Sequence, residues 1–145
     1  MSFLFHDGII LEPAGALSID ALRDIKDNIK GKTVVCIVSG GNFDFERLPD
    51  VKERAMRFTG TKRYLILQLP QRPGALKEFL ETLGPEDDIA RFEYLKKSAK
   101  AFGSVLLGIE TQQAENFEVL FKNLKSKGFQ FRNVTHDELL ADFVI

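Results

Sequence analysis

Two stretches in the second half of the chain carry the same apolar spacing: Leu76, Phe79, Leu80 and Leu83, then Phe117, Leu120, Phe121 and Leu124, each at i, i+3, i+4, i+7. That spacing predicts two helices with one apolar stripe apiece, because residues three and four apart share a helix face. Gly84 with Pro85 closes the first, and Gly128 stops the second. Four short runs with strand character surround them. Tyr64 to Leu69 is broken by two prolines and a glycine at residues 70–74, and Ile89 to Leu95 alternates with polar residues. Gly103 to Glu110 sets Val105, Leu107 and Ile109 on one face, and Phe129 to Val134 follows the second helix. The order β-α-β-β-α-β predicts a four-stranded antiparallel sheet with both helices on one side, an α+β, ferredoxin-like plan.

The first sixty residues read differently. From Pro13 to Ile29 the positions Ala14, Leu17, Ala21, Leu22, Ile25 and Ile29 predict one helix, with Gly31 where a C-terminal cap would lie. Thr33 to Val38 is a continuous β-branched and apolar run, which suits a strand covered on both faces. Pro49 opens a short helical pattern through Arg57. These pieces cannot cover one another's apolar surface, so the front half is expected to be a fragment of a larger α/β unit. The expected division is residues 1–58 and 59–145. At the far end, Thr135 three residues before Glu138 has capping-box spacing and predicts a terminal helix carrying Leu139, Leu140 and Phe143.

Composition excludes several function classes. Twenty Lys and Arg against 21 Asp and Glu are scattered through the chain, so a nucleic-acid partner is not suggested. A ferredoxin-like RNA module would place aromatics on its third strand, and residues 103–110 have none. No run reaches the ~18 apolar residues of a membrane helix, and His6 and Asp7 interrupt the first residues where a signal peptide would be apolar, so a cytoplasmic protein is expected. Cys36 lies inside the apolar run and reads as a reduced, buried core residue. His6 and His136 have no partner at ligand spacing, so no metal is expected. The 13 phenylalanines fall mainly on helix stripes and strand faces and read as core.

Two turns could carry chemistry. A strand followed by Ser39, Gly40 and Gly41 is a shape used to hold anions, since glycine lets backbone N–H groups approach closely; a plain tight turn is the competing reading. "QRPGAL", residues 71–76, is either a strand-to-helix turn or an effector site whose free N–H groups meet a carboxylate while apolar side chains accept an aliphatic tail.

"LEPAGALS", residues 11–18, with "KTVVCIVSGGN", residues 32–42, resembles the closing segment of the catalytic domain of threonine dehydratases, pyridoxal-phosphate enzymes of fold type II. "LPQRPGALKEFLETLGPEDDIARFEYLKKS", residues 69–98, resembles the start of the ACT-like regulatory domain of the same family. The resemblance implies that Ser39 meets the cofactor's pyridine nitrogen, that Gly40 and Gly41 let the backbone pass close to the ring, and that Glu12 and Gly15 line the same side. A neutral hydroxyl there, in place of a carboxylate, leaves the ring a moderate electron sink suited to prompt loss of a β-hydroxyl. The family's Schiff-base lysine and glycine-rich phosphate loop belong to upstream motifs not found here; Lys26, Lys30 and Lys32 read as a solvated helix face and its end. The chain alone is therefore expected to bind no cofactor and to dehydrate no threonine.

What the resemblance leaves whole is the allosteric module, which senses isoleucine, with valine a possible opponent, and joins copies of the protein into a dimer. Arg72, Pro73, Gly74, Ala75 and Leu76 are the expected effector-binding residues, with Asp88, Ile89, Arg91 and Phe92 beside them if the second strand lies next to the first. Arg91 and Glu93 have a competing reading as a cross-strand surface pair. A free-standing amino-acid sensor, with the first sixty residues as an interaction segment, is the alternative organisation.

Overall fold

A computed structural model describes residues 10–95 and 101–137. The chain divides into two compact units, Met1–Lys52 and Glu53–Ile145, and the expected terminal helix around Leu139, Leu140 and Phe143 lies outside the described residues. No helix among the described residues is long and apolar enough to cross a membrane.

The second unit is built on four antiparallel strands: β1 (Lys62–Pro70), β2 (Asp88–Leu95), β3 (Phe102–Glu110) and β4 (Gln130–Asn133), in the order β2-β3-β1-β4. β1 and β3 pair along their whole length, from Lys62 opposite Glu110 to Pro70 opposite Phe102. The alternation read from the sequence holds: Leu65, Leu67 and Leu69 of β1 and Val105, Leu107 and Ile109 of β3 are all buried on one face. Phe79, Phe117, Leu120, Leu124 and Phe129 close over them as a single core. This is the α+β, ferredoxin-like arrangement expected.

The core-facing stripes come from helix α3 (Ala75–Leu80) and helix α4 (Asn116–Ser126). Phe117, Leu120 and Leu124 of α4 are buried as expected. On α3 the stripe slips by one residue: Ala75, Phe79 and, just beyond the helix, Thr82 are inside, whereas Leu76 and Leu80 are 44% and 45% exposed. The helix is also shorter than its spacing suggested. α4 ends in a Schellman arrangement, with Gly128 N–H donating to Lys125 O at 3.0 Å and Phe129 N–H to Leu124 O at 2.9 Å. Gly128 supplies the left-handed φ of 77° that this exit requires. Helix α2 (Leu48–Thr59), longer than the pattern ending at Arg57, leaves by the same device at Gly60 and Thr61.

In the first unit the expected helix from Pro13 to Ile29 is cut short. α1 covers Pro13–Asp20, a 3-10 turn covers Ala21–Arg23, and residues 24–32 run on through turns. The expected strand at residues 33–38 does not form: those residues are in no ladder, and Val35 and Ile37 are 85% and 80% exposed. A strand needs a neighbour for its N–H and C=O groups, and the described residues supply none. For the same reason Cys36 is half-buried and not a core residue; its thiol lies 3.5 Å from Ser18 O. Several phenylalanines likewise fall outside the core, with Phe45, Phe58 and Phe102 exposed.

Candidate functional site

The turn from β1 into α3 forms one wall of a cleft of about 360 Å³. Leu69, Pro70, Gln71, Arg72, Pro73, Gly74, Ala75 and Leu76 line it on that side, and Phe92 and Tyr94 of β2 line it on the other. Gln71 N–H fixes the turn to the start of β3 by donating to Ala101 O at 2.8 Å. The condition set for the β2 residues, that their strand lie next to β1, is not met: β3 runs between them. Two features bring β2 side chains to the turn nonetheless.

The first is a bulge between Ile89 and Arg91, which leaves Ala90 unpaired. Ile89 pairs with Ile109, Phe92 with Leu107 and Tyr94 with Val105, so these three share the core face. The second is Gly103. A Cβ there would stand 2.4 Å from Cε2 of Tyr94, so the tyrosine ring lies over β3 through the space glycine leaves. Of the nine expected effector residues, Arg72 through Leu76 and Phe92 therefore meet in one cleft. Asp88 and Arg91 pair with Glu110 and Gly108 on the opposite face, and Ile89 sits against the core further along β2. Arg91 meets Glu93 at 2.7 Å along its own strand, not across a pair. The sequence reading missed Tyr94, whose signal was a glycine on a neighbouring strand in a register no sequence displays.

The cleft joins apolar walls to one cation. Leu76, Phe92 and Tyr94 are partly open to solvent, and Leu80 continues the apolar surface along α3. Arg72 holds Glu78 in a fork, with Nη1 to Oε1 at 2.8 Å and Nη2 to Oε2 at 2.7 Å. The hydrogen bond from Arg72 holds the Glu78 carboxyl below the usual carboxylate range, and the same bond raises the guanidinium. α3 has six residues, too short to present a strong N-terminal field, so Arg72 and not the helix start is the natural anion contact.

At the other end of β1, Lys62 Nζ reaches Glu53 of α2 and, at 2.8 Å, Glu110 of β3. Tyr64 hydroxyl donates to Glu53 Oε1 at 2.9 Å. Burial pulls the Lys62 ammonium down, but hydrogen bonds to Glu110 and Glu53 outweigh it and hold its pKa above the ordinary lysine value. Arg57 donates to Thr135 O, and Thr135 Oγ1 accepts from Tyr64 N–H at 3.0 Å. The C-terminal half of α2 is thereby tied to the root of the strand that leads to the cleft.

In the first unit the two motif segments come together. Glu12 N–H donates to Gly40 O at 3.1 Å, and Ser18 Oγ donates to Ile37 O at 3.0 Å. Gly15 is packed so closely that a Cβ would fall 1.6 Å from Ser39 O, which leaves room for glycine alone. Gly41 is exposed, with nothing within 4 Å of a Cβ built on it. Ser39 is exposed, and its hydroxyl has no hydrogen-bond partner among the described residues. The open hydroxyl and the open backbone at Gly41 fit one edge of a planar heteroaromatic cofactor, whereas at Gly40 the Glu12 carboxylate fills the space above the backbone, its Oε1 2.1 Å from where a Cβ would stand.

Comparison with known proteins places these features. The family model for the C-terminal regulatory domain of threonine dehydratase matches residues 53–144. The biosynthetic L-threonine dehydratase of Halalkalibacterium halodurans is 51% identical over 141 residues, 97% of this chain and 34% of that protein. Those of Bacillus subtilis and Lactococcus lactis are 50% and 43% identical, covering 94% and 95% of the chain and 33% of each relative. The chain thus spans about a third of the length of the curated relatives it matches. With the matched residues coinciding with the βαββαβ unit and its cleft, the chain belongs to the threonine dehydratase family through that family's C-terminal regulatory domain.

Proposed function

We propose that the cleft between the β1–α3 turn and β2 binds a small aliphatic amino acid, isoleucine with valine as a competitor, and that the unit is the allosteric sensor of a threonine dehydratase. The observation that carries this reading is the composition of the cleft: one guanidinium, Arg72, beside apolar surface from Leu76, Phe92 and Tyr94. Such a pocket pairs a carboxylate with a cation and removes a branched alkyl tail from water. Polar solutes without a tail gain only the first of these.

Two copies are expected to join through this unit, since β2 and β4 each pair on one side only among the described residues. The dehydratase reaction, threonine to 2-oxobutanoate and ammonia, belongs to the longer protein. There, pyridoxal phosphate would rest against Ser39, Gly40 and Gly41, with Glu12 on the same side. When bound, it supplies the electron sink for elimination of the substrate's hydroxyl. Ser39 would hold the ring by one neutral hydrogen bond, and Gly15 would keep Ser39 in place by admitting its carbonyl. The chain by itself is expected to be catalytically silent.

Thermal unfolding tests the sensor reading. L-isoleucine at about a hundred times its dissociation constant stabilises a one-site protein by about 2.7 kcal/mol, a rise of roughly 5 to 10 °C for a chain of this size. Glycine should give no rise. Unchanged melting with isoleucine, and unmoved NMR signals at Ala75, Phe92 and Tyr94, would sink it.

A further inference from the structure

The guanidinium that the cleft offers to a carboxylate is already holding one. Arg72 sits in the lining, whereas Glu78, one turn into α3, lies outside it and takes both terminal nitrogens of Arg72 in a bidentate fork. The pair is the geometry with which arginine binds a free carboxylate. It is open to solvent, with 54% and 43% of the two side chains exposed, so it can exchange partners without opening the core. Lys127 Nζ holds Glu81 at 2.7 Å and also donates to the Glu78 backbone carbonyl at 3.5 Å, so a second cation with a spare donor stands beside the carboxylate that Arg72 would release.

We infer that Glu78 is a built-in competitor: a carboxylate latch on Arg72 that an incoming α-amino acid must displace, and that sets the affinity of the cleft. The inference rests on the sensor reading given above. Its physical content is an exchange of one ion pair for another. Binding then gains only the difference between the two forks, and the apolar walls decide which amino acids win. This makes the site selective for ligands with a large aliphatic tail, because a carboxylate alone merely replaces what Glu78 already provides. It also makes affinity nearly indifferent to salt, since screening weakens the pair that breaks and the pair that forms alike.

The test is a titration of the whole chain with L-isoleucine by calorimetry, at low and high salt, in five forms: unaltered, Glu78→Gln, Glu81→Gln, Arg72→Gln, and Arg72→Gln combined with Glu78→Gln. Glu78→Gln should bind about fivefold more tightly, in line with an exposed but bidentate pair, and should acquire a salt dependence the unaltered chain lacks. Glu81→Gln removes the same charge but leaves the Arg72 fork in place, so it should raise affinity by less than Glu78→Gln and bring no salt dependence. Adding Glu78→Gln to Arg72→Gln should bring no gain, and L-isoleucinamide, which has no carboxylate, should bind the Glu78→Gln chain no better than the unaltered one. Equal or weaker binding of isoleucine by Glu78→Gln, with binding by the unaltered chain intact, overturns the latch and leaves the sensor standing. Absence of binding in both overturns the sensor itself.

Discussion

At the scale of single residues, Gly103 decides whether the cleft has two walls. Its missing side chain is the space into which the Tyr94 ring leans, and a Cβ would stand 2.9 Å from the ring's Cζ as well. Gly103→Ala should turn Tyr94 away and weaken the proposed binding of isoleucine about tenfold, a loss of the order of one buried aromatic contact; calorimetry beside an unchanged circular-dichroism spectrum would check it. Lys62 and Tyr64 make a prediction about pH. Desolvation and the hydrogen bond to Glu53 raise the Tyr64 phenol above 10.0, and the carboxylates raise Lys62 above 10.5. Groups raised on folding contribute stability that is complete below their unfolded values and is lost as pH climbs through the folded ones. The melting temperature should therefore be insensitive to these groups at neutral pH and fall above about pH 10, less steeply in Lys62→Met. Single residues were legible in the sequence where burial alone decides them, as with Val105, Leu107 and Ile109. Tyr94 was not, because its neighbour Gly103 starts a different strand.

At the scale of elements, order and type could be read and boundaries could not. The spacing of Leu76, Phe79, Leu80 and Leu83 announced a helix but named the wrong stripe, since only Phe79 of the four is fully buried while Leu83 packs at the core's margin. Periodicity tells which residues share a face, not which way the face turns; the β1–α3 turn settles that. Phe79 packs edge-on against Phe129, their centroids 6.3 Å apart. Phe79→Ala should cost about 3 to 5 kcal/mol in chemical denaturation, whereas Leu80→Ala, on the exposed side, should cost under about 1 kcal/mol. Gly128→Ala forces a side chain into left-handed backbone and should cost about 1 kcal/mol with the fold retained. The strand expected at residues 33–38 failed for a different reason: its residue types were right, but a strand is a relation between two segments.

At the scale of the whole molecule, stability is unevenly shared. The buried apolar core belongs to the second unit, whereas the first leaves Val34, Val35, Ile37 and Val38 exposed. Residues 53–145 alone should therefore unfold in one cooperative transition at nearly the midpoint of the full chain, while residues 1–52 alone should show no transition and bind a hydrophobic dye. The fold class was visible in advance because two helices and four strands in fixed order admit few arrangements. The site was half visible: the turn that carries Arg72 announces itself by its prolines and glycine, and the opposite wall depends on a bulge. That bulge reaches further than geometry. Ala90 is the residue the ladder skips, so losing it would leave Ile89, Phe92 and Tyr94 facing as before. A length change at any paired position between Arg91 and Tyr94 would instead reverse part of the wall. A one-codon loss at Ala90 would thus spare the cleft's second wall; a few codons downstream, the same slip would turn Phe92 or Tyr94 out of it.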